Sequence, residues 1–277
     1  MNVTGFSAKI GWRGWGRRLW IPALLGLALA AGCRAPEERV QAQGGGEAPE
    51  ARRGFEASWQ PERITVGESV EGRPIECIVF GSGEDVVLIM ATIHGSEPAG
   101  TPLVRRLADY LTKRTALLEG RCVVLMPVAN PDGMATGNRK NVHGVDINRN
   151  FPASNFHGST DHGSTALSEP ESRAIHDVMQ RYRPDRIISL HQPKNHGSAC
   201  LDYDGPGRRL AETMAARCDL PVVKLGGRRG SLGSYAGITL GVPIITVELP
   251  KTADDWDEDV LWDRYGTMLV TAICFSG

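Results

Sequence analysis

From about Ser58 onward, short apolar runs rich in β-branched residues alternate with longer amphipathic stretches, which restricts the chain to an α/β fold. Strands are expected near Glu76–Phe80, Val86–Ile93, Cys122–Val128, Arg186–Leu190, Ala199–Tyr203, Val222–Leu225 and Ile244–Val247. Helices are expected near Glu97–Arg114, Glu169–Arg181, Gly207–Cys218, Leu232–Leu240 and Val260–Cys274. Ser168-Glu169-Pro170-Glu171 reads as a helix start, with Ser168 as the cap and Glu171 completing a capping box. The stretch from Asn130 to Leu167 is poor in apolar residues and rich in Asn, Gly, His and Ser. A connection of that length inside a compact domain usually carries function. A chain of 277 residues, 41% hydrophobic and 23% charged, has room for one domain with a sizeable core; two would be cramped.

Residues 1–32 stand apart from that domain. Lys9, Arg13, Arg17 and Arg18 form a basic head without acidic residues, followed by an apolar run of about 13 residues, short for a bilayer span. The run closes on Ala30-Ala31-Gly32-Cys33, which resembles a bacterial lipobox and predicts lipidation of Cys33. Ordinary secretion and retention as a membrane helix are the alternative readings. Residues 33–57 are rich in Glu, Gln, Gly, Ala and Pro and read as a flexible tether, leaving residues 58–277 as the folded domain. The expected location is the cell envelope, on a lipid anchor and facing the periplasm or exterior.

The chain holds 31 basic and 32 acidic residues, and removal of the head takes away four positive charges. A mildly acidic product is a poor partner for nucleic acid. Cys77, Cys122, Cys200, Cys218 and Cys274 remain, an odd set that leaves at least one thiol unpaired. Cys77 and Cys122 lie in strand-like runs and read as small buried hydrophobes. No C-x-x-C occurs, which argues against a cysteine zinc site.

Chemistry gathers where the strands end. His94-Gly95-Ser96-Glu97 follows one strand, His191 follows another, and Glu248 ends a third. Ligands bind at that edge of an open α/β sheet. Two histidines and a carboxylate also form the three-ligand set of a catalytic zinc, with a position left for water. The alternatives are a core-satisfied histidine at 191, a salt-bridged carboxylate at 248, and a helix-surface pair at 94 and 97. A glutamate after Ile-Ile-Thr-Val is costly to bury unpaired and needs a reason. The long connection adds Arg139 and Gly144-Val145-Asp146-Ile147-Asn148-Arg149-Asn150, and two arginines and an asparagine beside a metal suit a carboxylate and a developing oxyanion. His143, His157, His162 and His196 fall in loops, and none follows a strand.

With these motifs in order, the chain resembles the carboxypeptidase A type of zinc metallocarboxypeptidases, among them the short bacterial murein peptide amidase A group. The resemblance runs from Gly67–Ile75 to Glu248 and beyond. It implies a single-domain three-layer α/β/α fold, carboxypeptidase-like or phosphorylase/hydrolase-like, with a mixed sheet of about eight strands. It implies one Zn2+ held by His94, Glu97 and His191, with Glu248 as general base, Arg139 polarising the scissile carbonyl, and Asn148 and Arg149 gripping a terminal carboxylate. Asp146 would hydrogen-bond His94 and fix its tautomer. One departure concerns the lid. Gly226 stands where the digestive enzymes carry a mobile tyrosine, and Tyr235, in a Gly-Ser-x-Gly-Ser-aromatic run similar to that of the murein amidase group, becomes a candidate pocket residue. The adjacent Arg228 and Arg229 are candidates for contact with acidic substrate groups, or a solvated basic turn.

The implied activity is zinc-dependent hydrolysis of an amide bond by a monomer, releasing a residue with a free carboxylate from a peptide or muropeptide, specifically at a γ-D-glutamyl-diaminopimelate bond. The rival readings are a general zinc carboxypeptidase, an N-acyl amino acid deacylase and a non-catalytic peptidoglycan-binding lipoprotein.

Overall fold

The computed structural model describes residues 60–193 and 197–276. The export signal, Cys33, the tether and His196 lie outside these residues. Among the described residues, no helix is long and apolar enough to cross a membrane.

Eight strands form one mixed sheet. They are β1 (Glu62–Glu68), β2 (Pro74–Phe80), β3 (Asp85–Ala91), β4 (Arg121–Met126), β5 (Arg186–His191), β6 (Cys200–Asp204), β7 (Val222–Val223) and β8 (Ile244–Glu248), in the spatial order β1-β2-β4-β3-β5-β8-β6-β7. The centre, β4-β3-β5-β8, is parallel; β1, β2 and the β6–β8 pairing are antiparallel. The chain leaves β3 to form β4 on one side, and β5 lies on the other side of β3. The crevice outside the strand ends at such a reversal is the usual ligand site.

The side-chain period of two sends alternate residues of the central strands into separate cores. Val87, Ile89 and Ala91 pack toward helices α1 (Gly100–Thr112), α4 (Arg208–Ala215) and α5 (Glu258–Cys274). Leu88 and Met90 pack toward α3 (Pro170–Tyr182) and the loop segment around Ile147 and Phe151. In α1, Leu103, Val104, Leu107 and Leu111 recur at helical spacing and are fully buried. The sheet is therefore covered on both faces, giving the three layers expected.

The differences from expectation are local. Strand β1 and the short helix α2 (Pro131–Thr136) were not foreseen. β1 shows only partial burial, an edge strand with a weak apolar signal. Helix α1 begins at Gly100 rather than Glu97, because His94–Glu97 forms a turn closed by the Glu97 N–H on the His94 carbonyl (3.0 Å) and Pro98 disfavours helical geometry at Glu97. The cap of α3 is Glu169, not Ser168. The Ser168 hydroxyl instead donates to Glu169 Oε1 (2.7 Å), and Glu171 accepts from Asn141 Nδ2 (3.0 Å) rather than closing a capping box. Residues Gly233–Thr239 wind as a π-helix where an α-helix was expected.

Candidate metal centre and substrate cavity

His94 reaches the sheet edge through an unusual bend. Thr92 ends the run from β3 at φ +53°, a left-handed conformation that costs a β-branched residue about 1–3 kcal/mol. Neighbouring contacts hold it: its hydroxyl bonds that of Thr101 (2.7 Å), and its carbonyl accepts from the Asn130 N–H (2.9 Å). Gly95 completes the bend. A Cβ there would lie 1.9 Å from the carbonyl carbon of Gly133, in the backbone of α2. Gly95→Ala therefore has to push two backbones apart, and is expected to lower stability by about 2 kcal/mol and Tm by about 4–8 °C. Calorimetry checks this; an unchanged Tm would show that the α2 contact yields freely.

The bend delivers His94 and Glu97 to the end of β5, where His191 pairs in register with Glu248 at the end of β8. His94, Glu97 and His191 are all buried, and their ligating atoms lie within 4.8 Å of one another. Glu97 Oε2 is 3.0 Å from His94 Nδ1 and 2.8 Å from His191 Nδ1, and the two Nδ1 atoms are 3.1 Å apart. His94 Nε2 lies 3.0 Å from Asp146 Oδ1. That contact places the proton on Nε2 and leaves the Nδ1 lone pair facing the cluster. A tetrahedral zinc with arms of about 2 Å separates its ligand atoms by roughly 3.3 Å. Donor types, lone-pair direction and spacing thus fit zinc. Among the described residues no other group of His, Cys, Asp or Glu meets this description.

Electrostatics tightens the cluster. Burial alone would raise the Glu97 carboxyl, but the facing imidazoles of His94 and His191 hold it well below the usual carboxylate range. The Gln192 N–H (3.1 Å) and Arg139 Nη1 (2.8 Å) donate to its two oxygens. Burial would likewise raise Asp146, but His94, Arg139 and Arg149 hold it down. Burial opposes charge on His94, and the Glu97 and Asp146 carboxylates outweigh it to raise that pKa. Glu248 differs. Burial pushes its carboxyl up, with Glu97 adding to the rise and His191 opposing it. A carboxylate raised toward neutrality is suited to trading protons.

The cluster opens onto a cavity of about 750 Å³, lined also by Arg139, Asn148, Arg149, Arg228 and Glu248. Asp146 organises the wall, accepting from Arg139 Nε (3.1 Å) and the Asn148 N–H (2.9 Å) as well as facing His94. Asn148 Oδ1 accepts from the Leu232 N–H (2.8 Å), so its side-chain NH2 is the end left for a ligand. Arg149 donates to the Asn148 carbonyl (2.6 Å). Burial lowers the Arg149 pKa, and the nearby positive charges of Arg139 and Arg228 add to that against Asp146. An incoming carboxylate would relieve this positive crowding.

The structure thus brings together His94, Glu97, His191, Glu248, Arg139, Asn148, Arg149 and Asp146. Tyr235 is the exception and a correction. Its side chain is buried away from the cavity, stacked on Phe151 (6.2 Å between centroids) and His176 (5.9 Å). The π-helix turns Gly233 and the preceding Ser231 toward the cavity and Tyr235 into the core. Gly226 lines the cavity at φ +85°, and Arg228 lines it while Arg229 does not. His143 pairs with Glu169, and His162 contacts the His157 carbonyl, all outside the metal cluster. Cys77 and Cys122 are buried, with burial pushing the Cys77 thiol up to about 12. Cys200 also lines the cavity.

Two contributions were missed from the sequence. Asn150, fully buried, ties the long connection together: its amide donates to the His162 and Thr165 carbonyls and its Oδ1 accepts from the Glu169 N–H and the Ser172 hydroxyl. Asp202 and Asp204 on β6 line the cavity, and the signal available was alternation along Cys200-Leu201-Asp202-Tyr203-Asp204, which points both carboxylates to one face.

Fold, metal-ligand cluster and cavity define a metal-dependent hydrolase of the carboxypeptidase kind. Residues 58–204 match the zinc carboxypeptidase family, and the chain belongs to that family. Among its relatives, murein peptide amidase A of Escherichia coli (strain K12) is 33% identical over 228 residues, covering 75% of this chain and 88% of that protein. Carboxypeptidase SOL1 of Arabidopsis thaliana is 29% identical over 140 residues, 46% of this chain and 28% of that protein. The crystal structure of murein-tripeptide amidase from E. coli O157 superposes with a TM-score of 0.59 at 25% identity, covering 83% of this chain and 98% of the other. Bovine thrombin-activatable fibrinolysis inhibitor shares the fold at a TM-score of 0.65 and 21% identity, over 77% and 88% of the two chains. The protein is thus a hydrolytic enzyme of a zinc-dependent family.

Proposed function

We propose that this enzyme hydrolyses the γ-D-glutamyl-diaminopimelate bond of peptidoglycan peptides, releasing diaminopimelate with its carboxylate free. The observation that carries the reading is the joining, in one cavity, of the His94–Glu97–His191 cluster, Glu248, and the Asn148–Arg149 carboxylate grip. Similarity to murein peptide amidases supports the choice of substrate.

In this reading His94, Glu97 and His191 hold one zinc ion. When bound, zinc lowers the pKa of water and polarises a carbonyl. Asn148 and Arg149 seat the terminal carboxylate and so set the register of the scissile amide. Glu248 accepts a proton as water adds to the amide carbon, and passes it to the nitrogen as the C–N bond breaks. Arg139 donates to the oxygen that gains negative charge. A non-catalytic binding protein would have no use for a raised carboxylate beside the cluster, and an N-acyl amino acid deacylase would not require the diaminopimelyl side chain. The reading extends to the N-terminus: Cys33 carries lipid, and a monomeric enzyme works at the cell envelope on a tether.

Incubation with L-Ala-γ-D-Glu-diaminopimelate is expected to release free diaminopimelate, and amidation of the terminal carboxylate should lower kcat/KM by about 30-fold or more. Chromatography of the products reads both. Release of ordinary C-terminal residues without release of diaminopimelate would leave a general carboxypeptidase.

A further inference from the structure

Arg139 and the Asn148–Arg149 pair stand on one connection between α2 and α3 that holds no strand or helix beyond a 3-10 turn at Ile147–Arg149. A segment with so little internal structure keeps side chains in place only if something outside it holds them. Two buried asparagines supply that hold, and both are fastened to the start of α3.

Asn141 belongs to the Arg139 half. Its N–H donates to the Val145 carbonyl (3.0 Å) and its Oδ1 accepts from the Val145 N–H (3.1 Å), closing a turn that sets Arg139 beside Asp146. Its side-chain NH2 has two N–H bonds and gives one to each of two buried carboxylates, Glu169 Oε2 (2.7 Å) and Glu171 Oε2 (3.0 Å). The turn is thereby fixed on α3, and with it the reach of Arg139 onto Glu97 and Asp146. Asn150 belongs to the other half and follows Arg149 directly. Its Oδ1 accepts from the Glu169 N–H (3.1 Å) and the Ser172 hydroxyl (2.6 Å), and its carbonyl accepts from the Leu167 N–H (2.7 Å). The halves meet at Asp146, which His94 Nε2 holds from the far side (3.0 Å). Asp146 is therefore a fixed point between two separately fastened pieces.

We propose that Asn141 and Asn150 are positioning residues for two separable parts of the reaction, Asn141 holding Arg139 at the oxygen that gains charge and Asn150 holding Asn148 and Arg149 at the terminal carboxylate. This rests on the roles given to Arg139, Asn148 and Arg149 in the proposed function. A contact to the developing oxyanion strengthens on the way to the transition state, so its misplacement lowers kcat. The carboxylate is gripped alike before and during reaction, so loss of that grip raises KM.

The test compares wild type, Asn141→Ala and Asn150→Ala as zinc-loaded full-length chains, by crystal structure, zinc content and steady-state kinetics. Asn141→Ala should release Arg139 from Glu97 and Asp146 and lower kcat by about 30-fold, with KM within about threefold of wild type. Asn150→Ala should displace Arg149 and raise KM by about tenfold, with kcat within about threefold. Asn141→Asp adds a signature that general destabilisation would not give. It sets a carboxylate against Glu169 and Glu171, behind which stand His143 on Glu169, Asp132, whose charge reaches Glu171, and Arg73 on Asp132. Crowded carboxylates take up protons readily, so its kcat relative to wild type should recover as pH falls from about 7 to about 5. If the alanine variants fail to fold, Asn141→Asp and Ser172→Ala, which removes one contact to Asn150 Oδ1, carry the same split at smaller size. Kinetics are run on L-Ala-γ-D-Glu-diaminopimelate and on a peptide with an ordinary C-terminal residue. Cleavage of the second alone would sink the murein reading, with the split then read on that peptide; cleavage of neither would sink the reaction and leave the crystal structures to decide. Arg139 unmoved in Asn141→Ala, or kcat and KM changing by the same factors in both variants, would overturn the proposal.

Discussion

Glu248→Gln is expected to lower kcat on the murein tripeptide by about 10³-fold or more while the protein keeps its zinc. The substitution is nearly isosteric and removes only the group that takes and returns a proton in the proposed reaction. Glu248 closes β8 in register with His191, so its backbone position is set by the parallel β5–β8 ladder and not by the metal. It is not one of the three ligating residues, which is why metal content should survive. The raised pKa adds a pH signature. Burial lifts the Glu248 carboxyl above its ordinary value, and a base works only when deprotonated, so activity should fall on the acid side at a pH above that of an ordinary glutamate. The Gln variant should lose this limb along with its rate.

His191→Ala is expected to have the second large effect, lowering zinc affinity by more than about 100-fold and activity in proportion. His191 Nδ1 approaches both Glu97 Oε2 (2.8 Å) and His94 Nδ1 (3.1 Å), so its removal takes one of three converging lone pairs and exposes Glu97 to the cavity without that partner. Glu97 is held low chiefly against its own burial by the two imidazoles, and losing one weakens the reason for its charge. Chelation of wild type should reproduce the loss of activity and addition of zinc should restore it, whereas His191→Ala should regain little at the same zinc concentration. Metal analysis after gel filtration, with activity on the same fractions, reads both effects. Full zinc occupancy in His191→Ala would remove His191 from the ligand set.

The layered fold was legible because the central strands are apolar and β-branched, as in Val86–Met90 and Ile244–Val247, and because α1 and α3 are strongly amphipathic. The metal cluster was legible because its members stand at strand ends, a position readable without knowing the sheet order. What escaped has physical causes. Strand β1 is an edge strand with few buried residues, so its pattern is faint. Ser168 is not the cap of α3 because its hydroxyl is engaged by Glu169 Oε1 and by the Asn150 amide, and the helix starts one residue later. Tyr235 became a pocket candidate through its place in a Gly-Ser-x-Gly-Ser-aromatic run, which does not say which way the side chain points; the π-helix there buries it in the core. Asp202 went unnoticed because a carboxylate on a short strand looks solvent-facing until β8 and the segment around Leu225 are seen to cover it.

The central claim is that one zinc ion and Glu248 together hydrolyse a terminal amide. Its most direct test measures zinc content and diaminopimelate release on the same preparations of wild type and Glu248→Gln. The account predicts one zinc per chain in both proteins and release by wild type alone. Release by Glu248→Gln at the wild-type rate, or by a wild-type preparation stripped of metal, would contradict it.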